Sequence, residues 1–127
     1  RDSLNLITMS QSIVGAKAYT FALTTIKVYR MLITEQSEYT LSKQILRSGT
    51  AVGALCKEAE HAQSRADFLN KMNVALKEAN ETEYWLMLLK DSGYISQATF
   101  DSIYPACNEL ISMLVHIVKT TKNSLNK

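Results

Sequence analysis

Residues 47–95 decide the fold and read RSGTAVGALCKEAEHAQSRADFLNKMNVALKEANETEYWLMLLKDSGYI. A helix rich in small residues leads to Ser64, where Ser64-Arg65-Ala66-Asp67 resembles a capping box with Asp in place of Glu or Gln. The helix that follows is expected to stop at Gly93, since glycine commonly stands just past a helix end. Two long helices joined by a short connection predict an antiparallel helical bundle.

Apolar residues recur at helical spacing in four segments of the chain. The first helix is predicted over residues 11–34. Thr40 is the predicted N-cap of the second helix and Ser96 that of the fourth. Pro105 lies about two turns into the fourth helix and is expected to kink or split it. The third helix has the cleanest stripe: Phe68, Met72, Ala75, Ala79, Thr82, Leu86 and Leu89.

Together these segments predict an all-α fold, an antiparallel up-down-up-down four-helix bundle. The 127 residues fit one domain, with residues 1–10 as a leader and residues 120–127 as a tail that frays. Only four glycines and one proline are present, which disfavours a β fold rich in turns.

Composition excludes several functional classes. The net charge of +2 is small and the basic residues are dispersed, so charge by itself does not indicate nucleic-acid binding. Cys56 and Cys107 lack metal or redox spacing and are predicted to be reduced, buried thiols. No apolar stretch is long enough to span a membrane and no signal peptide is recognisable, so the cytoplasm is the expected location.

The second helix carries an unusually small face, with Gly49, Gly53 and Ala54. A glycine inside a helix costs about 1 kcal/mol relative to alanine. The expected compensation is close packing of another helix, either from this chain or from a neighbouring subunit.

Charged residues on the second and third helices predict a structural ion pair. Arg47 and Glu58 lie on one row of the second helix, while Glu81 and Glu83 flank the stripe of the third. Arg47 is expected to pair with Glu58 or Glu81 at a helix or subunit seam. A catalytic carboxylate pair is disfavoured, because no His, Lys or Ser stands at a suggestive spacing.

Glu58 and His61 have the spacing of one half of a di-metal carboxylate site. Such a site needs a second pair of this kind, and the only other histidine, His116, follows Met113 at that spacing. His61 is therefore predicted to be a surface residue, and no metal or cofactor is expected. The aromatic residues Tyr84, Trp85 and Tyr94 are expected to pack against a helix or a subunit rather than to stack on bases.

The order of these motifs resembles the bacterial four-helix-bundle proteins encoded by intervening sequences within large-subunit ribosomal RNA genes, a family that includes accessory variability proteins of retroelements. The likeness spans about residues 17–118. It is carried by Arg47, Ser48, Val52, Ala54, Glu58, Ser64, Asp67, Phe68, Glu81, Glu83, Leu86, Gly93, Tyr94 and Ile95. The chain departs from the family pattern at Leu55, Ala59 and Ala62, which lowers the polar and positive character of that corner.

The resemblance implies a homo-oligomer, since relatives form pentameric rings with a central channel. It implies no enzymatic activity, and it implies nucleic-acid binding because relatives that serve retroelements are basic. Five copies of a +2 chain carry about +10, and binding strength grows with the number of phosphates contacted. The candidate contacts are Lys17, Lys27, Arg30, Lys43 and Lys57.

The resemblance, together with the predicted bundle, therefore implies a non-enzymatic, homo-oligomeric scaffold, a pentamer, that binds RNA or DNA through a composite surface. The alternative is a protein-interaction scaffold without nucleic acid. Nucleic-acid binding predicts an affinity that falls steeply with salt, whereas a protein scaffold predicts an exposed apolar groove.

Overall fold

The computed structural model describes residues 2–126, and side chains over residues 8–126. Within that range the helices are α1 (Asp2–Glu35), α2 (Leu41–Ala59), α3 (Arg65–Asp91) and α4 (Gln97–Leu125). Each helix packs against the next along the chain, and α1 also packs against α4. The predicted all-α, up-down-up-down four-helix bundle is confirmed.

The apolar stripes form the core of the bundle. The buried residues of α3 are the seven that the sequence predicts. Phe21 of α1, Ile45 of α2 and Leu114 of α4 are 2% exposed or less. Each such side chain contributes roughly 1.5–3 kcal/mol by leaving water. The helices are therefore held mainly by tertiary burial rather than by intrinsic propensity.

The first and last helices of the chain are longer than the sequence predicts. α1 begins at Asp2 instead of near Gln11, and α4 continues to Leu125 through most of the predicted tail. Thr121 is fully buried, and its hydroxyl donates to the carbonyl of Ile117 at 2.7 Å. The burial of Thr121 shows that this part of α4 packs on the bundle, although its composition alone is typical of a fraying end.

Pro105 does not split α4, which runs as one helix over its 29 residues. The pyrrolidine ring lies on the exposed side of the helix. The ring therefore does not disturb the core, and the cost of proline is limited to its local backbone effect.

The start of α2 is capped differently from the prediction. Thr40 occupies the N-cap position, but its side chain makes no capping hydrogen bond. The carboxylate of Glu38 accepts instead from the backbone N–H of Ser42 at 2.8 Å and from that of Thr40 at 3.3 Å. Glu38, two residues before the N-cap position, thus accepts hydrogen bonds from backbone N–H groups that have no partner within the helix.

The caps of α3 and α4 follow the prediction. Ser64 Oγ accepts from the N–H of Asp67 at 3.0 Å, and Ser96 Oγ accepts from that of Thr99 at 3.1 Å. The Asp67 carboxylate accepts from the N–H of Gln63 at 3.1 Å, one residue before the usual partner in a capping box.

The exit from α3 is a Schellman motif centred on Gly93, which has a φ of +85°. The N–H of Tyr94 donates to the carbonyl of Leu89 at 2.9 Å, and the N–H of Gly93 donates to that of Lys90 at 3.1 Å. Glycine takes this left-handed conformation without steric penalty, so the predicted helix stop is confirmed.

Candidate functional site

The α2–α3 seam holds a cluster of one guanidinium and two carboxylates. Arg47 Nη2 donates to Glu81 Oε1 at 2.7 Å, and Arg47 Nη1 donates to Glu78 Oε2 at 3.3 Å. The Arg47 side chain is 50% exposed, whereas the Glu78 side chain is 14% exposed. The fork of Arg47 thus joins two successive turns of α3 to the middle of α2.

The ion pairs shift the pKa values at this seam. The hydrogen bonds that Glu78 and Glu81 accept from Arg47 raise the pKa of Arg47 above its ordinary value, with Glu78 contributing most. The hydrogen bond from Arg47 is the main cause that lowers the pKa of Glu81. Both shifts favour the charged forms, so the cluster is an ion-paired clamp and not an acid–base pair.

A buried hydroxyl pair lies beside the clamp. Thr82 Oγ1 donates to Ser48 Oγ at 2.8 Å, and both residues are fully buried. The same Oγ1 of Thr82 lies 2.8 Å from the carbonyl oxygen of Glu78. The polar contacts of α2 and α3 therefore fix the register of these helices, which packing of apolar side chains alone specifies less sharply.

Glu58, the other partner predicted for Arg47, and Glu83 bind different residues. Glu58 accepts from Lys71 Nζ at 3.0 Å, which raises the pKa of Lys71. Glu83 accepts from the phenol of Tyr104 on α4 at 2.9 Å and raises the pKa of that phenol. Sequence reasoning missed Glu78. Its signal is the spacing of three residues from Glu81, which places both acids on one side of α3.

The small face of α2 packs on α1 through its glycines. A Cβ at Gly49 would lie 2.4 Å from Cγ2 of Thr25, while one at Gly53 would meet the carbonyl oxygen of Ala18 at 3.5 Å. Gly49 therefore permits a close approach of two helices of the same chain. The sequence predicts that Ala54 packs closely together with these glycines. This prediction is wrong, because Ala54 is exposed and takes no part in that packing.

Ala54 instead lines an open groove of about 490 Å³ between α1 and α2. Small residues predominate along it, and Lys57 and Glu60 add charge. We call this surface the α1–α2 groove and define it by Gly15, Tyr19, Ala22, Thr50, Gly53, Ala54, Lys57 and Glu60.

Large apolar side chains of α1 are left exposed beside the groove. Met9 is 62% exposed, Ile13 50%, Tyr19 68% and Leu23 46%. The helical period of α1 puts these four side chains in one broad sector of the helix, away from Phe21 and the core. α1 is thus apolar on two sides, only one of which the bundle covers.

The three aromatic residues singled out from the sequence lie in different surroundings. Tyr84 is 56% exposed. Trp85 and Tyr94 are partly buried and pack against the core. The Trp85 ring meets the Tyr84 ring edge-on, with 5.1 Å between the centroids. Tyr84 is therefore the one of these three that presents a largely free surface.

The five basic residues predicted to contact nucleic acid differ in whether they form ion pairs. Lys17 pairs with Glu109 of α4 at 3.3 Å, and Lys57 pairs with Glu60 at 3.7 Å. Lys27, Arg30 and Lys43 are exposed and form no ion pair with any residue described. These three lie near the end of the bundle where α1 leads into α2.

The thiols and imidazoles do not come together in a metal site. Cys56 and Cys107 are each 1% exposed, and burial raises their pKa values to about 11 and about 12. Such thiols are protonated and unreactive at neutral pH. His61 and His116 are exposed. Over residues 2–126, no three His, Cys, Asp or Glu residues form a group that could hold a metal ion.

A family model described as 23S rRNA-intervening sequence protein matches residues 10–116. The chain belongs to this family. The matched residues include the Arg47 clamp, the α1–α2 groove and Tyr84. The resemblance drawn from the motifs of residues 47–95 is confirmed.

One solved structure similar to this family member is the 1.70 Å crystal structure of a protein of unknown function from the S23 ribosomal protein family of Bacteroides thetaiotaomicron. It is 50% identical, with a TM-score of 0.84, and the match covers 87% of this chain and 98% of that one. Among curated proteins no match is found. None of the helices described here has the length and apolar character needed to cross a membrane.

Proposed function

We propose that this family member is a non-enzymatic scaffold that assembles with further copies of itself through the α1–α2 face and binds RNA on the assembled surface. The observation that carries the proposal is the exposed apolar sector of α1, formed by Met9, Ile13, Tyr19 and Leu23. Four large apolar side chains exposed in one sector of a helix favour an interaction surface over a face that stays in water.

Burial energy supports self-association. Covering a large apolar side chain contributes roughly 1.5–3 kcal/mol, and α1 offers four next to an apolar groove. That gain has to offset the loss of translational and rotational freedom on binding. A closed ring offsets more of this loss, because every subunit in it makes two contacts. The family resemblance implies a pentamer, which is one ring of this kind.

The unpaired basic residues support RNA as the ligand. Lys27, Arg30 and Lys43 carry charge that no described acid neutralises, and they lie near one end of each subunit. Repetition around a symmetric assembly would gather these triplets into one extended positive surface. Phosphate binding by such a surface releases counterions, and the affinity grows with the number of phosphates contacted.

A protein-interaction scaffold without nucleic acid is the second candidate. It is favoured by the ion pairs of Lys17 and Lys57, which leave three of the five candidate contacts for phosphates. It is also favoured by the apolar lining of the α1–α2 groove. The assembly would then act in the cytoplasm as a docking platform, and its interactions would depend little on salt.

Salt titration of RNA binding separates the two functions. The double variant Lys27→Ala/Arg30→Ala removes two contacts per subunit, whereas the matched control Lys119→Ala/Lys122→Ala removes two exposed lysines of α4. We expect the slope of log affinity against log salt to fall by at least about 1.4 in the first variant only. Equal slopes in all three proteins, or no binding by the native chain at low salt, would contradict RNA binding.

A further inference from the structure

Two different apolar surfaces are exposed on the bundle. One is the α1–α2 groove with its small side chains. The other is a ridge on α3 formed by Tyr84 and Met87, which are 56% and 45% exposed. The ring of Trp85 meets Tyr84 edge-on at 5.1 Å between centroids, which supports the Tyr84 ring from one side. Among the residues that the structure describes, α1 and α3 do not pack against each other, so the groove and the ridge belong to different sides of the subunit.

The two surfaces differ in the size of their side chains. Glycine and alanine at positions 15, 22, 53 and 54 leave an open groove of about 490 Å³. A tyrosine and a methionine one turn apart form a protruding pair of large side chains on a rigid helix. Aromatic residues and methionine are enriched in the cores of protein interfaces, where they fill such depressions.

The two surfaces also differ in charge. α1 and α2 together carry six Lys or Arg residues and three Asp or Glu residues. α3 and α4 together carry six basic and seven acidic residues. Near the ridge, Lys77 and Asp91 are exposed, whereas Glu78 and Glu81 are ion-paired with Arg47 of the same chain. In this orientation the α1–α2 side, with a net charge of +3, meets the α3–α4 side, with a net charge of −1. Groove against groove would instead bring two net positive sides together.

We propose that Tyr84 and Met87 of one copy insert into the α1–α2 groove of the next copy. This inference rests on the self-association proposed above. It adds that the Tyr84–Met87 ridge of a second copy is the surface that binds to the α1–α2 face. The contact is heterologous, because each subunit offers a ridge on one side and a groove on the other. Repetition of such a contact closes into a ring if the rotation permits and otherwise gives an open filament.

Cysteine cross-linking tests the pairing directly. Ala54→Cys places a thiol in the groove, and Asn80→Cys places one on the exposed face of α3, one turn before Tyr84, so both ridge side chains are kept. The native Cys56 and Cys107 are each 1% exposed and stay in place as unreactive thiols. The double variant and both single variants are treated with a short bis-maleimide and compared on denaturing gels.

The heterologous contact predicts a ladder of multiples of 14.2 kDa for the double variant and no covalent dimer for either single variant. Covalent dimers of Ala54→Cys alone would show groove against groove and overturn the proposal. The absence of cross-links in a double variant that light scattering shows to be oligomeric would overturn it as well. A native chain that is monomeric by light scattering would remove self-association itself, which is a separate failure.

A second measurement does not depend on cysteine chemistry. Tyr84→Ala/Met87→Ala removes the ridge, and Val115→Ala truncates a 39% exposed side chain of α4 as the control. We expect the ridge variant to lose at least half of the native solution mass at the same concentration, with unchanged helicity by circular dichroism. An unchanged mass in the ridge variant would contradict the role of Tyr84 and Met87.

Discussion

At the scale of single residues, Gly49 sets how closely α1 and α2 approach. A Cβ at this position would lie 2.4 Å from Cγ2 and 2.9 Å from Cβ of Thr25, which is fully buried. Threonine is stiff at χ1 and cannot easily rotate away. We expect Gly49→Ala to lower the free energy of unfolding by about 1–3 kcal/mol, as overpacking does.

Gly53→Ala is the matched control, because its Cβ would make an ordinary contact of 3.5 Å with the Ala18 carbonyl. In that helix interior alanine gains up to about 1 kcal/mol of helix propensity. Urea unfolding of both variants at one protein concentration checks the contrast. Equal stability changes in the two variants would show that the Thr25 contact does not limit the helix separation.

Arg47 is expected to stabilise the bundle in a pH-dependent way. Its hydrogen bond lowers the pKa of Glu81 below the unfolded value of about 4.3. A lowered carboxyl pKa adds stability above the unfolded pKa, and that stability is lost as the pH falls through the folded value. Because the side chain of Arg47 is half exposed, we expect Arg47→Ala to cost about 1 kcal/mol at pH 7.

The same variant should cost clearly less at pH 3 than at pH 7, as measured by urea unfolding at both values. Lys57→Ala, which breaks the exposed pair with Glu60, serves as the control and should change stability by a few tenths of a kcal/mol at either pH. A cost for Arg47→Ala that does not change with pH would mean that the clamp acts through packing rather than charge.

Residue pairs were only partly predictable from the sequence. The pairing of Arg47 with Glu81 was one of two options, because a sequence gives the row of a residue on its helix but not the offset between two helices. That offset brings Glu78 and Glu81 to Arg47 and brings Lys71 to Glu58. The Ser48–Thr82 bond was missed for the same reason, since both residues read as small core positions.

At the scale of the helices, Glu38 is the capping residue of α2. Its carboxylate accepts from the N–H groups of Ser42 and Thr40, and the Thr40 hydroxyl makes no cap. We expect Glu38→Ala to lower the unfolding free energy by about 0.5–2 kcal/mol, the range for a lost cap. Thr40→Ala should change it little, and the two variants are compared by thermal or urea unfolding. A larger loss for Thr40→Ala would assign the cap to the threonine.

Helix identity was predictable at this scale, but helix ends were less so. The stripes and the caps at Ser64 and Ser96 follow from local chemistry, which a sequence contains in full. The continuation of α4 to Leu125 depends on what this segment packs against. Thr121 illustrates this, because a threonine near the end of a polar tail is buried only once α4 is in place.

At the scale of the whole molecule, the fold and the family were predictable while the candidate surfaces were not. A bundle follows from four amphipathic segments and short connections. The exposed apolar sector of α1 and the Tyr84–Met87 ridge are visible only when the core has taken the other faces. The glycines of α2 were read as packing residues, and the groove that Gly53 and Ala54 share with α1 emerges from the folded subunit.

Self-association is the central claim, and the mass of the native chain in solution tests it most directly. Multi-angle light scattering behind a sizing column, at micromolar concentration and moderate salt, is the measurement. We predict a single species at a whole-number multiple of 14.2 kDa, with five subunits as the expected number. A mass that stays near 14.2 kDa as the concentration is raised would contradict the account, since the apolar sector of α1 would then face water in a stable monomer.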